Sequence, residues 1–279
     1  MKHNLIVTLT LIFLFLISHL VGFFIINHYL PEEKSLPLGI EKPKLDPQTS
    51  FIPIFLILLG ATLLALLLIK LGAFRIWKAW FFLSIFFTLL IALSAFTGVL
   101  VGFILALFLA LFKTFRPTPL LHNFTEIFIY GGLASLFVPI LNIWSVSILL
   151  ILISIYDMIA VWKTKHMVSM AKFQTKSKMF VGLLIPYKKS LNSKKINLKK
   201  QRNDNLEAIL GGGDIAFPLM FSGVILKTSG FLPALIASVT AALALLLLFM
   251  LAKKDKFYPA MPFITAGSFI GYLLIYLLF

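Results

Sequence analysis

Residues 79–112 read AWFFLSIFFTLLIALSAFTGVLVGFILALFLALF, 34 consecutive positions without a charged side chain. A bilayer core about 30 Å thick is crossed by roughly 20 apolar helical residues. One helix of this length would extend about 51 Å at ~1.5 Å per residue, too far for a single crossing. The run therefore holds two crossings. Residues 94–98 (SAFTG) supply the break, because small polar residues and glycine are its weakest helix formers.

Working outward, the whole chain of 279 residues has the same character. It is 60% hydrophobic and 13% charged, with a mean hydropathy of +1.02. A soluble domain is roughly 45–50% apolar and about 25% charged, so this chain cannot cover itself in water. A soluble enzyme and a disordered chain are excluded. With no cysteine, so are a disulfide-stapled secreted domain, thiolate metal sites and cysteine nucleophiles. Further apolar runs lie at 5–26, 51–69, 126–141, 142–162, 206–226, 231–252 and 259–279. The first is long and lacks a small-residue cleavage site, so it reads as a retained span. The expectation is an all-α polytopic membrane protein of nine transmembrane helices. Its parts are a six-helix portion (1–162), a basic loop (163–205) and a three-helix portion (206–279), forming one integrated membrane domain.

The formal net charge of +15 serves topology. With the N-terminus inside, 21 Lys and Arg fall in cytoplasmic segments and 4 in extracytoplasmic ones, as the positive-inside rule requires. That puts the N-terminus and the 163–205 loop in the cytoplasm and the C-terminus outside. The loop alone carries twelve Lys and Arg against Asp204, a charge suited to anionic headgroups. The bilayer thus accounts for the basicity, and no nucleic-acid partner is expected. Residues 179–186 (MFVGLLIP) form an apolar island in this loop, too short to span. It reads as an interfacial or re-entrant segment, or as a piece packed on the bundle.

Most acids fall in loops or at helix ends. Glu126 falls at the mouth of the fifth span, at headgroup depth. Asp157 and Asp214 are different: each lies in apolar sequence, inside its span. A carboxylate in lipid costs at least about 2.5–3.5 kcal/mol, so such residues face the bundle interior and mark function. Counted from the cytoplasmic ends of spans six and seven, they lie about 7.5 and 12 Å deep, so they can face each other. Neither has an intramembrane Lys or Arg to pair with. Two facing carboxylates then share one proton. Such a pair can activate water and protonate a leaving amine without metal or cofactor. A proton-coupled transporter or channel, or a structural pair, uses the same groups and is about as well supported by depth and pairing alone. The local sequence favours the hydrolytic reading. Gly211, Gly212 and Gly213 precede Asp214, and Pro218 cannot donate to the Asp214 carbonyl. Irregular backbone at membrane depth belongs in a protein interior or a wet cavity. Lone His19 in span one reads as a hydrogen-bonded helix contact.

Tyr156-Asp157 in span six, Gly211-x-Gly213-Asp214 in span seven and Pro259-Ala260-Met261-Pro262 at the start of span nine resemble the presenilin and signal peptide peptidase family of GxGD intramembrane aspartyl proteases. The residues after Tyr156-Asp157, KTKHM at 163–167, and the short chain look like an archaeal-type presenilin homologue. The resemblance implies that Asp157 and Asp214 are catalytic, that Tyr156, Gly211, Gly212, Gly213 and Pro218 shape the site, and that Pro259, Ala260 and Met261 border the substrate. Met261 stands where the family has leucine. The implied partners are single-span membrane proteins or transmembrane peptides within the lipid bilayer, with room for a homo-oligomer, and no cofactor or metal. A substrate helix must unwind before attack, and the resemblance suggests that it pairs with an enzyme strand. The start of span seven, the Pro259 region and the 179–186 island are the candidates, the island being alternatively a self-cleavage site. A prepilin or preflagellin peptidase also uses GxGD, but leaves Tyr156-Asp157 and the Pro259 motif unexplained.

Overall fold

The computed structural model describes residues 4–31, 33–164, 170, 179–186, 207–252 and 258–279. Most of the basic loop, with His166 and all its Lys and Arg but Lys163, lies outside these residues. Nine α-helices are described: α1 (Leu5–Tyr29), α2 (Phe51–Lys70), α3 (Phe74–Thr97), α4 (Val99–Phe115), α5 (Pro119–Phe137), α6 (Ile143–Met158), α7 (Gly213–Ser229), α8 (Phe231–Leu251) and α9 (Met261–Leu278). Seven are long and apolar enough to cross a membrane. α4 is a shorter apolar helix, and α7 has 17 residues, about 25 Å of helix.

The break inside residues 79–112 falls at Gly98. Its φ of 82° ends α3 and begins α4, a left-handed conformation that costs glycine little. α5 starts seven residues before the predicted fifth span, because Thr118 caps it, accepting from the Leu121 N–H at 3.3 Å, and Pro119 occupies its first turn. Glu126 therefore lies inside the helix rather than at its mouth. It lies mid-helix and fully buried. α6 begins at a reciprocal capping box between Asn142 and Ser145. It leads into a π-helical turn, Ile159–Lys163, that begins two residues after Asp157.

The largest correction concerns the seventh span. Residues 207–211 are strand, not helix. β2 (Glu207–Gly211) pairs antiparallel with β1 (Gly182–Pro186), Leu183 opposite Leu210 and Leu184 opposite Ile209. The apolar island is thus a strand. Three successive glycines make helix expensive at 211–213, and a short apolar run does not distinguish strand from helix.

α1 and α5 pack together at the centre, and α1 also contacts α7 and α8. α6 packs on α7 and α9, α8 on α9, and α3 on α4 and α5. Glycines set the closest approaches. A Cβ on Gly131 would lie 3.0 Å from the Gly22 Cα of α1, and one on Gly132 would run into the Thr88 carbonyl of α3. His19 is buried. Its Nδ1 meets Ser238 Oγ at 2.7 Å and Ser222 Oγ at 3.4 Å, tying α1 to α8 and α7.

Gly132→Leu should lower stability by about 1–3 kcal/mol, because a carbonyl of α3 cannot move aside as a side chain can. Gly60→Leu, where nothing lies within 4 Å, should leave it unchanged. Thermal unfolding in detergent checks both.

Candidate active site

Both membrane-depth acids meet the start of a helix. Asp157, near the end of α6, is 4% exposed. The Met261 N–H, first in α9, donates to its Oδ2 at 3.1 Å, and Ala260, the residue before it, is buried at the same helix start. The first N–H groups of a helix have no partner within it, and the helix dipole favours an anion there. Pro259, Ala260 and Met261 are all buried. The contact to Asp157 runs through backbone, and the Met261 side chain packs in the main core. Met in place of Leu thus preserves this hydrogen bond.

Asp214 lies in the first turn of α7, so the depth counted along a continuous seventh helix does not apply. Its carboxylate lies beside Gly211 and within electrostatic reach of Asp157. The structure therefore brings the two acids together from α6 and α7. A Cβ on Gly211 would come within 3.1 Å of Asp214 Oδ2. Gly212 is tighter: a Cβ there would lie 2.8 Å from Val181 and 3.3 Å from the Tyr130 ring. Gly213 is exposed and meets only ordinary contacts with Phe217. Tyr156 is half-buried and Pro218 is buried inside α7. The Pro218 carbonyl accepts from Ser222 Oγ at 2.8 Å.

The second strand runs directly into this site. Gly212 N–H donates to the Val181 carbonyl at 3.3 Å, extending the ladder by one step. Antiparallel residues alternate between facing the partner strand and facing away. Gly212, Leu210 and Ala208 therefore address β1. Gly211, beside Asp214, and Ile209 address the opposite edge.

Behind β1 is a buried polar cluster that sequence reasoning missed. Lys113 of α4, placed by charge counting on the cytoplasmic side, is 1% exposed. Its Nζ lies 2.7 Å from Glu126 Oε1 and donates to Thr125 Oγ1 at 2.9 Å. It reaches the His122 carbonyl and Nδ1, each at 3.3 Å. His122 Nε2 is 2.7 Å from the Gly182 carbonyl, and Asn123 forms two hydrogen bonds with Leu184. Tyr130 lies within electrostatic reach of Glu126 and Asp214. The legible signal was the polar run HNFTE at 122–126, within a segment otherwise apolar enough to cross. Among the described residues, no three His, Asp or Glu side chains gather as a metal site.

The signal-peptide peptidase, presenilin aspartyl protease family matches residues 9–279. The chain belongs to that family. Its activity is intramembrane aspartyl proteolysis. The fold agrees with two solved structures of a presenilin family intramembrane aspartate protease. One, in the C222 space group, has a TM-score of 0.70 and 19% identity, covering 98% of this chain and 99% of that one. The other, in the P2 space group, has a TM-score of 0.65 and 18% identity over 97% and 98%. No curated protein matches by sequence.

Removing one member of the buried ion pair strands the other charge. Lys113→Met should cost about 3–5 kcal/mol, whereas Lys113→Met combined with Glu126→Leu should recover most of that loss. Denaturant unfolding of the single and double variants in detergent measures the coupling.

Proposed function

We propose that Asp157 and Asp214 form the catalytic dyad and that the substrate is a transmembrane segment of a single-span membrane protein. The observation carrying this reading is the approach of the two acids at the end of α6 and the start of α7, with the Met261 N–H on Asp157 and, among the described residues, no salt bridge from a Lys or Arg to either. The buried Lys113 is spent on Glu126.

A peptide bond within a helix is shielded, and its polar groups are already bonded, so the scissile segment must unwind. The outward edge of β2 offers hydrogen bonds to an extended chain, the strand-addition mode of peptide recognition. A strand laid along Ile209 is led toward Asp214. With one proton shared, the ionised carboxylate takes a proton from water as its oxygen attacks the scissile carbonyl carbon. The protonated carboxyl hydrogen-bonds the carbonyl oxygen. Collapse of the tetrahedral intermediate breaks the C–N bond as the amine receives a proton. Activity should be bell-shaped in pH, lost when both carboxyls are protonated and when both are ionised. In the membrane, the N-terminus and basic loop face the cytoplasm and the C-terminus faces outside, by the distribution of Lys and Arg.

Asp157→Asn and Asp214→Asn should each abolish cleavage of a transmembrane peptide in detergent without changing the unfolding midpoint. Substantial cleavage by either variant would overturn the dyad. Ile209→Pro removes one outward N–H and leaves the ladder to β1 whole. It should lower kcat/KM about tenfold, the worth of a hydrogen bond of roughly 1.4 kcal/mol.

A further inference from the structure

A two-stranded sheet has two free edges, yet only one leads to the acids. β1's outer edge exposes the backbone of Gly182, Leu184 and Pro186, since Leu183 and Ile185 face β2. Each of these positions is closed by a different means. Asn123 donates through Nδ2 to the Leu184 carbonyl at 2.8 Å and accepts the Leu184 N–H through Oδ1 at 2.9 Å. These are the two bonds a neighbouring strand would make. Pro186 has no N–H to offer. The Gly182 carbonyl is taken by His122 Nε2 at 2.7 Å.

The His122 contact requires a particular tautomer. A carbonyl only accepts, so Nε2 must carry the proton. The Lys113 ammonium only donates, and it approaches Nδ1 at 3.3 Å. It therefore meets Nδ1 as an acceptor, which in a neutral ring leaves the proton on Nε2. Glu126 balances the lysine's charge. The buried ion pair thus has a use beyond stability: it holds His122 in the form that grips β1.

We infer that Asn123 and His122, set by the Lys113–Glu126 pair, are positioning residues that occupy the outer edge of β1 and fix its register, so that an extended substrate adds only at β2 and in one alignment with the dyad. This inference rests on the reading that substrate joins the sheet as a strand. Without the clamp, Leu184 becomes a second docking edge, and the ladder is free to slip. A weakly specified strand slides between alternative pairings, and each slip presents a different peptide bond to the acids.

The test is mass spectrometry of all fragments from one single-span peptide. Wild-type enzyme should cut at one dominant position. Asn123→Leu and His122→Phe should spread cleavage over flanking positions, so that the original site supplies less than half the product. His122→Gln, whose amide can still donate to the Gly182 carbonyl, should restore the wild-type pattern. A merely structural role would reduce the amount of active enzyme and leave the pattern unmoved. An unchanged pattern in both Asn123→Leu and His122→Phe overturns the inference. Amide exchange in the enzyme without substrate decides the case where a variant, or the wild type, shows no cleavage. The Leu184 N–H should exchange slowly and the Ile209 N–H fast in wild type, with Leu184 becoming fast in Asn123→Leu. Equal exchange at Leu184 in the two proteins also overturns it. If the edge is clamped by this measure but wild type does not cleave, or Asp214→Asn does, the dyad reading fails and the clamp stands.

Discussion

The hydrogen bond from the start of α9 to Asp157 is the interaction around which the rest is arranged. A carboxylate at membrane depth needs donors, and helices that run through lipid use up their own N–H groups everywhere except in the first turn. Bringing such a turn to Asp157 requires α9 to begin inside the bundle, which the Pro259-Ala260 segment allows. Asp214 meets the same need by standing in the first turn of α7, beside Gly211. The two acids are thus solvated by chain ends. Among the described residues no Lys or Arg forms a salt bridge with either acid, where it would hold the carboxyl ionised.

Starting α7 so deep leaves the residues before it without helical partners. Backbone in that position must be bonded to protein. β1 and β2 satisfy each other along one edge, and polar side chains of α5 satisfy another. That explains why α5, a central helix packed against α1 and α3, tolerates His122, Asn123, Thr125 and Glu126 in succession. Their burial costs energy as individual polar groups, and each has a partner that would otherwise go unbonded.

The helices were legible because length and hydropathy decide them. Gly98 marked a break that its positive φ bears out, and the acid pair stood out because lipid makes acids rare. The strands were not legible. GLLIP and EAILG are short apolar runs, equally fit for either element, and their pairing joins segments more than 20 residues apart. The Lys113–Glu126 pair was hidden for a related reason. Each residue lies near the edge of a hydropathy window, where charge suggests water, and only the early start of α5 carries Glu126 into the interior. Met261 shows a third case: a departure in side chain sits where the backbone makes the contact.

The two acids are fastened through different elements. Asp157 sits at the end of α6 and is joined to α9 by its hydrogen bond from Met261. Asp214 opens α7 straight after β2, whose strand is anchored through β1 to α5. α6, α7 and α9 pack on one another within one hydrophobic core, so the spacing of the two carboxyls is set by how side chains fill the space between helices and not by a turn between neighbouring residues.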